Sequence, residues 1–376
     1  MMNEIRVGII GFGRIGAEHA GCLKLCEQSC EQSPEIHKSL DSHEERADIR
    51  AAAIADATPA RQEIAREKGL HVHASTESLL ADESIDAILV ATPTAMHFDH
   101  AMAALRAGKH VMVEKPMAMN LAHATQMTNL AKSQNRILSV FHNRRWDRDF
   151  LTVQSSVASG TFGKIINIES RLGQWASCVG PAAKQYRPGW RNEAAFGGGG
   201  LFDWGSHFID QLWRLMQPSK PVRVFAQLRG NVWSTDCDDF ARVCIDFDNG
   251  AVGLMEINTT TTKPLPRWHI DGTKGSAESP HSLDFDVQKW AELDFLSADS
   301  GKQSQRLPLA PAGLSEVAIW KKFAEAIHGA GEPAVTAESV LPTMLLLDAA
   351  RESSRVGKVI DVRQIGVGLT KGSKVP

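Results

Sequence analysis

Six residues near the start, Gly11-Phe12-Gly13-Arg14-Ile15-Gly16, constrain the fold more than any other part of the chain. They read G-x-G-x-x-G, directly after the apolar run Ile5 to Ile10 and directly before a helical stretch from Ile15. In a strand–turn–helix unit the first glycine permits the tight turn. The second lets a pyrophosphate approach the backbone, and the third lets the helix pack close to the strand. The helix start offers free N–H groups and a positive dipole end to phosphates. Gly11, Phe12, Gly13, Arg14, Ile15 and Gly16 are therefore read as a dinucleotide-binding loop, against the alternative of a plain tight turn.

The residues that follow alternate strand and helix patterns, the signature of a parallel α/β sheet. Strands are expected over 49–55, 71–73, 85–91, 110–114 and 136–141, and helices over 59–68, 98–107 and 121–132. With the first strand this makes six strands and one doubly wound Rossmann domain, residues 1–141. The acidic residue closing the second strand of such a domain accepts hydrogen bonds from the adenosine ribose and repels a 2′-phosphate. Asp56 stands there, so NAD is favoured over NADP, with Arg61 close enough in sequence to offset the repulsion, and a solvated turn aspartate as the alternative. Asp56 lies forty residues past Gly16, where about 20 is usual. The extra length, 22–48, reads as a helix extension plus a surface loop, with a subunit contact and a lid both open. Cys22, Cys26 and Cys30 recur every four residues, on one helix face. A metal or redox site is one reading, and small apolar residues of a reduced protein the other.

From residue 142 the pattern changes. Longer alternating segments at 164–172, 222–228, 240–247, 251–258 and 268–272 are joined by turns such as Asp248-Asn249-Gly250, a hairpin mark. Helices are expected over 149–159, 206–216, 316–327 and 340–354. Residues 142–376 thus read as an α/β domain with a large, mainly antiparallel open sheet, for substrate binding and oligomerisation. Such a sheet leaves an apolar face bare, so a homodimer or homotetramer is expected. A chain of 376 residues with a net charge of −3 gives no electrostatic reason to expect nucleic acid or a membrane as partner. No run reaches the ~18 apolar residues of a membrane helix, and the first residues lack the pattern of a secretion signal, so a cytoplasmic location is expected. The histidines show no metal-binding spacing, and no metal is expected.

Two motifs carry chemistry. Glu114-Lys115-Pro116 ends the fifth expected strand, where ligands of a parallel sheet sit. The proline restricts Lys115, and an ammonium near a reacting oxygen stabilises alkoxide character. Glu114 would orient the lysine, while a solvated strand-end lysine is the alternative. Farther on, Gly197-Gly198-Gly199-Gly200 precedes Asp203 and His207, four apart and on one face if the helix has begun. A histidine takes and returns a hydroxyl proton near neutrality, and an aspartate beside it holds the ring or meets the substrate. The glycines permit either a close backbone approach or a flexible entry.

Taken in order, the glycine loop, Thr92-Pro93-Thr94-Ala95-Met96-His97, Glu114-Lys115-Pro116 and the block from Gly198 through Asp203 and His207 to Asp210 resemble the glucose–fructose oxidoreductase/inositol dehydrogenase (Gfo/Idh/MocA) family over nearly the whole chain. The stretch 142–150, with Trp190-Arg191, is similar to a subgroup that includes scyllo-inositol dehydrogenases. The resemblance implies a nicotinamide-dependent oxidoreductase acting on a secondary hydroxyl of a sugar, polyol or cyclitol, with Lys115, Asp203 and His207 as the catalytic set. It also implies that Thr92, Pro93 and His97 line the cofactor with Glu114 and Lys115. Asn143 and Arg144 would face the mouth of the site, or pack as a hinge, and Trp190 and Arg191 would touch substrate. Selectivity would rest on loops around Trp175, Tyr186 and Trp233. Two other readings stay open on this scaffold: a glycoside hydrolase that uses bound NAD transiently, and a non-catalytic cofactor-binding sensor. The chain departs from the family in the 22–48 insertion and in Asp56-Ala57-Thr58, where NADP-using cyclitol enzymes of the subgroup carry Ser-Arg type residues.

Overall fold

In the computed structural model, which describes residues 4–28, 49–178, 189–230, 232–281, 287–299 and 303–363, Ile5–Ile10 forms strand β1 and Arg14–Gln28 helix α1. The expectations for Cys30 and the rest of the insertion to residue 48, for Tyr186 and for the tail from 364 lie outside the described residues. Next come β2 (Ile49–Ala55), α2 (Pro59–Glu67), β3 (His71–Val72), α3 (Thr76–Leu80), β4 (Ala87–Val90), α4 (His97–Arg106), β5 (His110–Val113), α5 (Leu121–Ser133) and β6 (Leu138–Val140). The strands pair in parallel in the order β3-β2-β1-β4-β5-β6, the doubly wound arrangement. A parallel sheet covered on both faces needs apolar residues at every position, and all of β4 is buried. The helices start where short polar side chains meet free N–H groups: Asn120 accepts from His123 N–H at 2.8 Å ahead of α5. Helix α3 was not expected; Ser75 and Ser78 close its first turn by reciprocal bonds.

The second unit opens with α6 (Arg148–Ala158), β7 (Ile165–Gly173) and α7 (Ser206–Leu215). It continues through β8 (Pro221–Arg229), β9 (Phe240–Phe247), β10 (Val252–Asn258), β11 (Trp268–Gly272), β12 (Gly275–Glu278), α8 (Val287–Trp290), β13 (Asp294–Ser297) and β14 (Gln305–Arg306). The remaining elements are α9 (Glu316–Ile327), α10 (Leu341–Val356) and β15 (Ile360–Asp361). Nine strands run in the order β14-β13-β12-β11-β7-β10-β9-β8-β15, and β7–β10 is the parallel pair among antiparallel ones. Helices α7 and α10 cover one face, on which Val243, Ile245, Met255 and Ile257 are buried.

The other face corrects an expectation. It is not an apolar patch but carries ion pairs, Arg242 with Glu256 and Arg223 with Asp246 across strands and Arg171 with Glu169 along β7, beside exposed Phe225 and Val252. In β9 the outward positions, Arg242, Cys244 and Asp246, alternate with the buried ones.

Helix α9 belongs with the first unit. The described residues of 4–143 and Leu314–Val340 make one compact unit, and α9 packs on α1 and β2. Its buried Ile319, Trp320 and Phe323 face that core. The second unit holds the described residues of 144–313 and 341–363.

Candidate active site

The glycine loop is built to admit a phosphate at one point only. Gly11 has φ +89°, and a Cβ on it would lie 2.9 Å from the Ala91 carbonyl oxygen. A Cβ on Gly16 would lie 2.2 Å from the Gly11 oxygen, so α1 packs directly on the turn. A Cβ on Gly13 would meet no atom within 4 Å. The open side is therefore at the second glycine, where a pyrophosphate approaches the helix N-terminus, and the loop fits a dinucleotide. The Phe12 ring is fully buried and leaves only its backbone to the loop; Arg14 is exposed and pairs with Glu18 at 3.2 Å. Ile15 is half-buried.

Asp56 follows β2 and ties the loop down. Its Oδ2 accepts the Phe12 N–H at 2.7 Å, its Oδ1 the Thr58 N–H at 2.8 Å, and Arg61 lies 3.5 Å away. The carboxylate is thus a structural brace of the loop.

Lys115 follows β5 and is half-buried, with a cis peptide to Pro116. Its backbone N–H donates to Glu114 Oε2 at 3.1 Å. The other carboxylate oxygen bonds His19 Nε2 on α1 at 2.8 Å, and the Trp320 indole N–H of α9 donates to His19 Nδ1 at 3.2 Å. An indole N–H only donates, so Nδ1 accepts and Nε2 carries the proton given to Glu114. Burial would raise the Glu114 pKa; the His19 hydrogen bond and the charges around it outweigh burial and hold the carboxyl below its ordinary value. Neither His19 nor Trp320 stood out in the sequence.

His97 is fully buried, with Nδ1 2.9 Å from the Pro116 oxygen and Nε2 2.9 Å from the Thr92 oxygen. Burial lowers its pKa despite these contacts. It joins the loops after β4 and β5 through their backbones. Thr92 and Pro93 are half-buried, and Thr92 Oγ1 is 3.3 Å from His100 Nδ1. Asn143 donates to Glu316 Oε1 at 2.8 Å. The Cys22 thiol meets the other oxygen of Glu316 at 3.4 Å; burial, then Glu316, pushes it up to about 12. Burial pushes Cys26 up to about 11. Thiols raised in this way are poor nucleophiles, which disfavours the redox reading.

In the second unit the helix bearing Asp203 and His207 starts earlier than expected. A π-helical turn, Leu201–Gly205, runs straight into α7 and keeps the two residues one turn apart. His207 is buried and Asp203 half-buried. Arg191 Nε lies 3.4 Å from Asp203 Oδ1, and its guanidinium stacks on the Trp190 ring at 4.4 Å. Arg144 stacks on Trp204 at 4.5 Å and pairs with Asp147 at 2.7 Å. Burial pushes Asp147 up to about 6 against the pull of Arg144. On the same helix Asp210 binds Arg145 through both oxygens, at 2.7 and 2.8 Å. Gln211 donates to the Arg144 oxygen at 2.7 Å. Thus Arg144, Trp190, Arg191, Asp203 and His207 gather around one helix start. Trp175 and Trp233 meet edge to face at 5.4 Å, and Asn192 donates to the Trp233 oxygen at 3.4 Å, so this pair borders the Arg191 turn.

The glycine run is packed rather than flexible. A Cβ on Gly198 would lie 2.4 Å from the Arg191 oxygen, and one on Gly199 would lie 2.3 Å from Asp238 Oδ1.

Comparison with known proteins gives concordant matches. A profile of the oxidoreductase family with an NAD-binding Rossmann fold matches residues 5–142, and a GFO/IDH/MocA C-terminal domain profile matches residues 150–278. The chain is 28% identical over 370 residues to an uncharacterized oxidoreductase of Escherichia coli, YdgJ, spanning 94% of this chain and 98% of that one. It is 27% identical over 380 residues to the scyllo-inositol 2-dehydrogenase (NADP(+)) IolW of Bacillus subtilis, spanning 96% of each. A solved NAD-binding protein from Listeria innocua superposes with a TM-score of 0.80 at 29% identity, over 96% of this chain and 97% of that one.

Proposed function

Because the chain belongs to the Gfo/Idh/MocA oxidoreductases, an NAD-binding Rossmann family, we propose that it oxidises or reduces a secondary alcohol carbon of a sugar or cyclitol, with Lys115, Asp203 and His207 doing the chemistry. The observation that carries this reading is the braced helix start, where Asp203 and His207 stand one turn apart with Arg191 on the aspartate. Bound nicotinamide dinucleotide supplies the hydride acceptor or donor. Residues 1–141 hold it, through Gly11 to Gly16 and Asp56, and residues 142–376 supply the substrate contacts. His207 moves the hydroxyl proton, which suits an imidazole near neutrality. The Lys115 ammonium stabilises negative charge on the reacting oxygen. Asp203 accepts a substrate hydroxyl or holds the imidazole, and Asn143, Arg144, Trp190 and Arg191 offer further polar and aromatic contacts to a polyol.

Asp56 favours NAD. Its charge opposes a 2′-phosphate, and its oxygens already serve Phe12 and Thr58. The Bacillus relative is named for NADP(+), so both cofactors belong in the test. Absorbance at the reduced-nicotinamide band, with NAD or NADP and a panel of inositols, aldoses and glycosides, should show reduction with one polyol. Release of a leaving group from a glycoside without net reduction would replace this reading with the transient-redox hydrolase. Among the described residues no helix is long and apolar enough to cross a membrane. The ion-paired sheet face is the proposed contact between copies of the chain.

A further inference from the structure

We infer that Asp238, just ahead of β9, is a positioning residue that sets Asp203 and His207 by clamping the start of their helix. The inference rests on the catalytic assignment of those two residues. Asp238 meets three consecutive residues, Gly199, Gly200 and Leu201, where the glycine run enters the helix. Its backbone oxygen accepts the Gly200 N–H at 2.9 Å. Its Oδ2 accepts the Leu201 N–H at 2.7 Å. Its Oδ1 stands where a Cβ of Gly199 would be, 2.3 Å from that position, and Gly199 has φ +103°. The Gly199 oxygen in turn accepts the Asp203 N–H at 3.0 Å, so the clamp is one hydrogen bond from the catalytic aspartate. Two of the N–H groups that a helix start leaves open are thereby taken by one residue. The π turn at Leu201–Gly205 makes the exact seating of this start decide where Asp203 and His207 point.

A carboxylate is a costly choice for this task if folding alone mattered. Asp238 is half-buried, and desolvation pushes its pKa up to about 7, with Asp239 adding to the push and the Leu201 N–H resisting it. Asparagine would accept the Leu201 N–H with no charge to desolvate. It would lose the negative charge at the helix start, which is aligned with the helix dipole, and would turn an N–H₂ toward Gly199.

The experiment compares Asp238→Asn with the unaltered enzyme at pH 8, above the carboxyl's titration, in the wild-type and Asp203→Asn backgrounds. The expected result is a kcat about 10- to 100-fold lower in the wild-type background, with unchanged NAD affinity and a melting temperature no lower than wild type. In the Asp203→Asn background the same change should lower kcat by a clearly smaller factor, because only the setting of His207 is then left to lose. Gly199→Ala, which presses on Oδ1 from the opposite side, should reproduce the kcat loss. Wild-type kcat in Asp238→Asn, or an equal loss in both backgrounds, overturns the clamp. Full turnover in Asp203→Asn itself overturns instead the catalytic assignment beneath it.

Discussion

Glu114 uses its two oxygens for two ends of one task. One accepts the backbone N–H of Lys115 and the other holds His19, which Trp320 orients in turn. Its carboxyl is held below the ordinary glutamate value, so the pair contributes stability that is present above that value and lost as pH falls through the folded one. His19→Leu removes the donor and leaves a buried carboxylate. The variant should be about 1–3 kcal/mol less stable at pH 7, with the gap narrowing toward pH 4, as read by urea unfolding at both pH values. In the proposed mechanism the Lys115 ammonium acts at the reacting oxygen. Lys115→Ala should lower kcat by about 10²- to 10³-fold while NAD binding, read by fluorescence titration, stays near wild type. Unchanged turnover would remove Lys115 from the chemistry.

At the scale of elements, the glycine loop separates packing from binding. Gly16→Ala drives a Cβ into the Gly11 oxygen and should both destabilise the protein and weaken NAD binding. Gly13→Ala meets no protein atom, so its melting temperature should stay close to wild type while NAD affinity falls at least about tenfold. Equal NAD affinity in Gly13→Ala would show that the phosphates lie elsewhere. Long or strongly periodic elements were legible in the sequence: β1, β2, β9, β11 and α9 lie where apolar spacing puts them. Strands β12 to β15, of two to four residues, carry no readable period and exist because a neighbouring strand offers an edge. Asp203 and His207 were legible because they stand four apart on one helix. Their supports were not. Asp238 reaches Leu201 across 37 residues, and His19 reaches Glu114 across 95, contacts that only the folded chain creates.

Taken whole, the molecule presents a sheet face of alternating charge where an apolar one was expected. An interface built there would carry arginine–carboxylate pairs that salt screens. Light scattering should therefore show a dimer or tetramer at low ionic strength that weakens as salt is raised; a monomer throughout would exclude this face as a contact. The same scale shows how late the first unit is finished. Trp320, which orients His19, and the buried face of α9 lie far downstream of β6. On the ribosome, then, the nascent cofactor domain has its six strands in hand long before the helix that closes it emerges, and strands β7 to β14 of the second sheet are translated in between. During that interval the side of α1 and β2 that α9 covers is without that helix, so the first unit completes its packing only after most of the chain has been made.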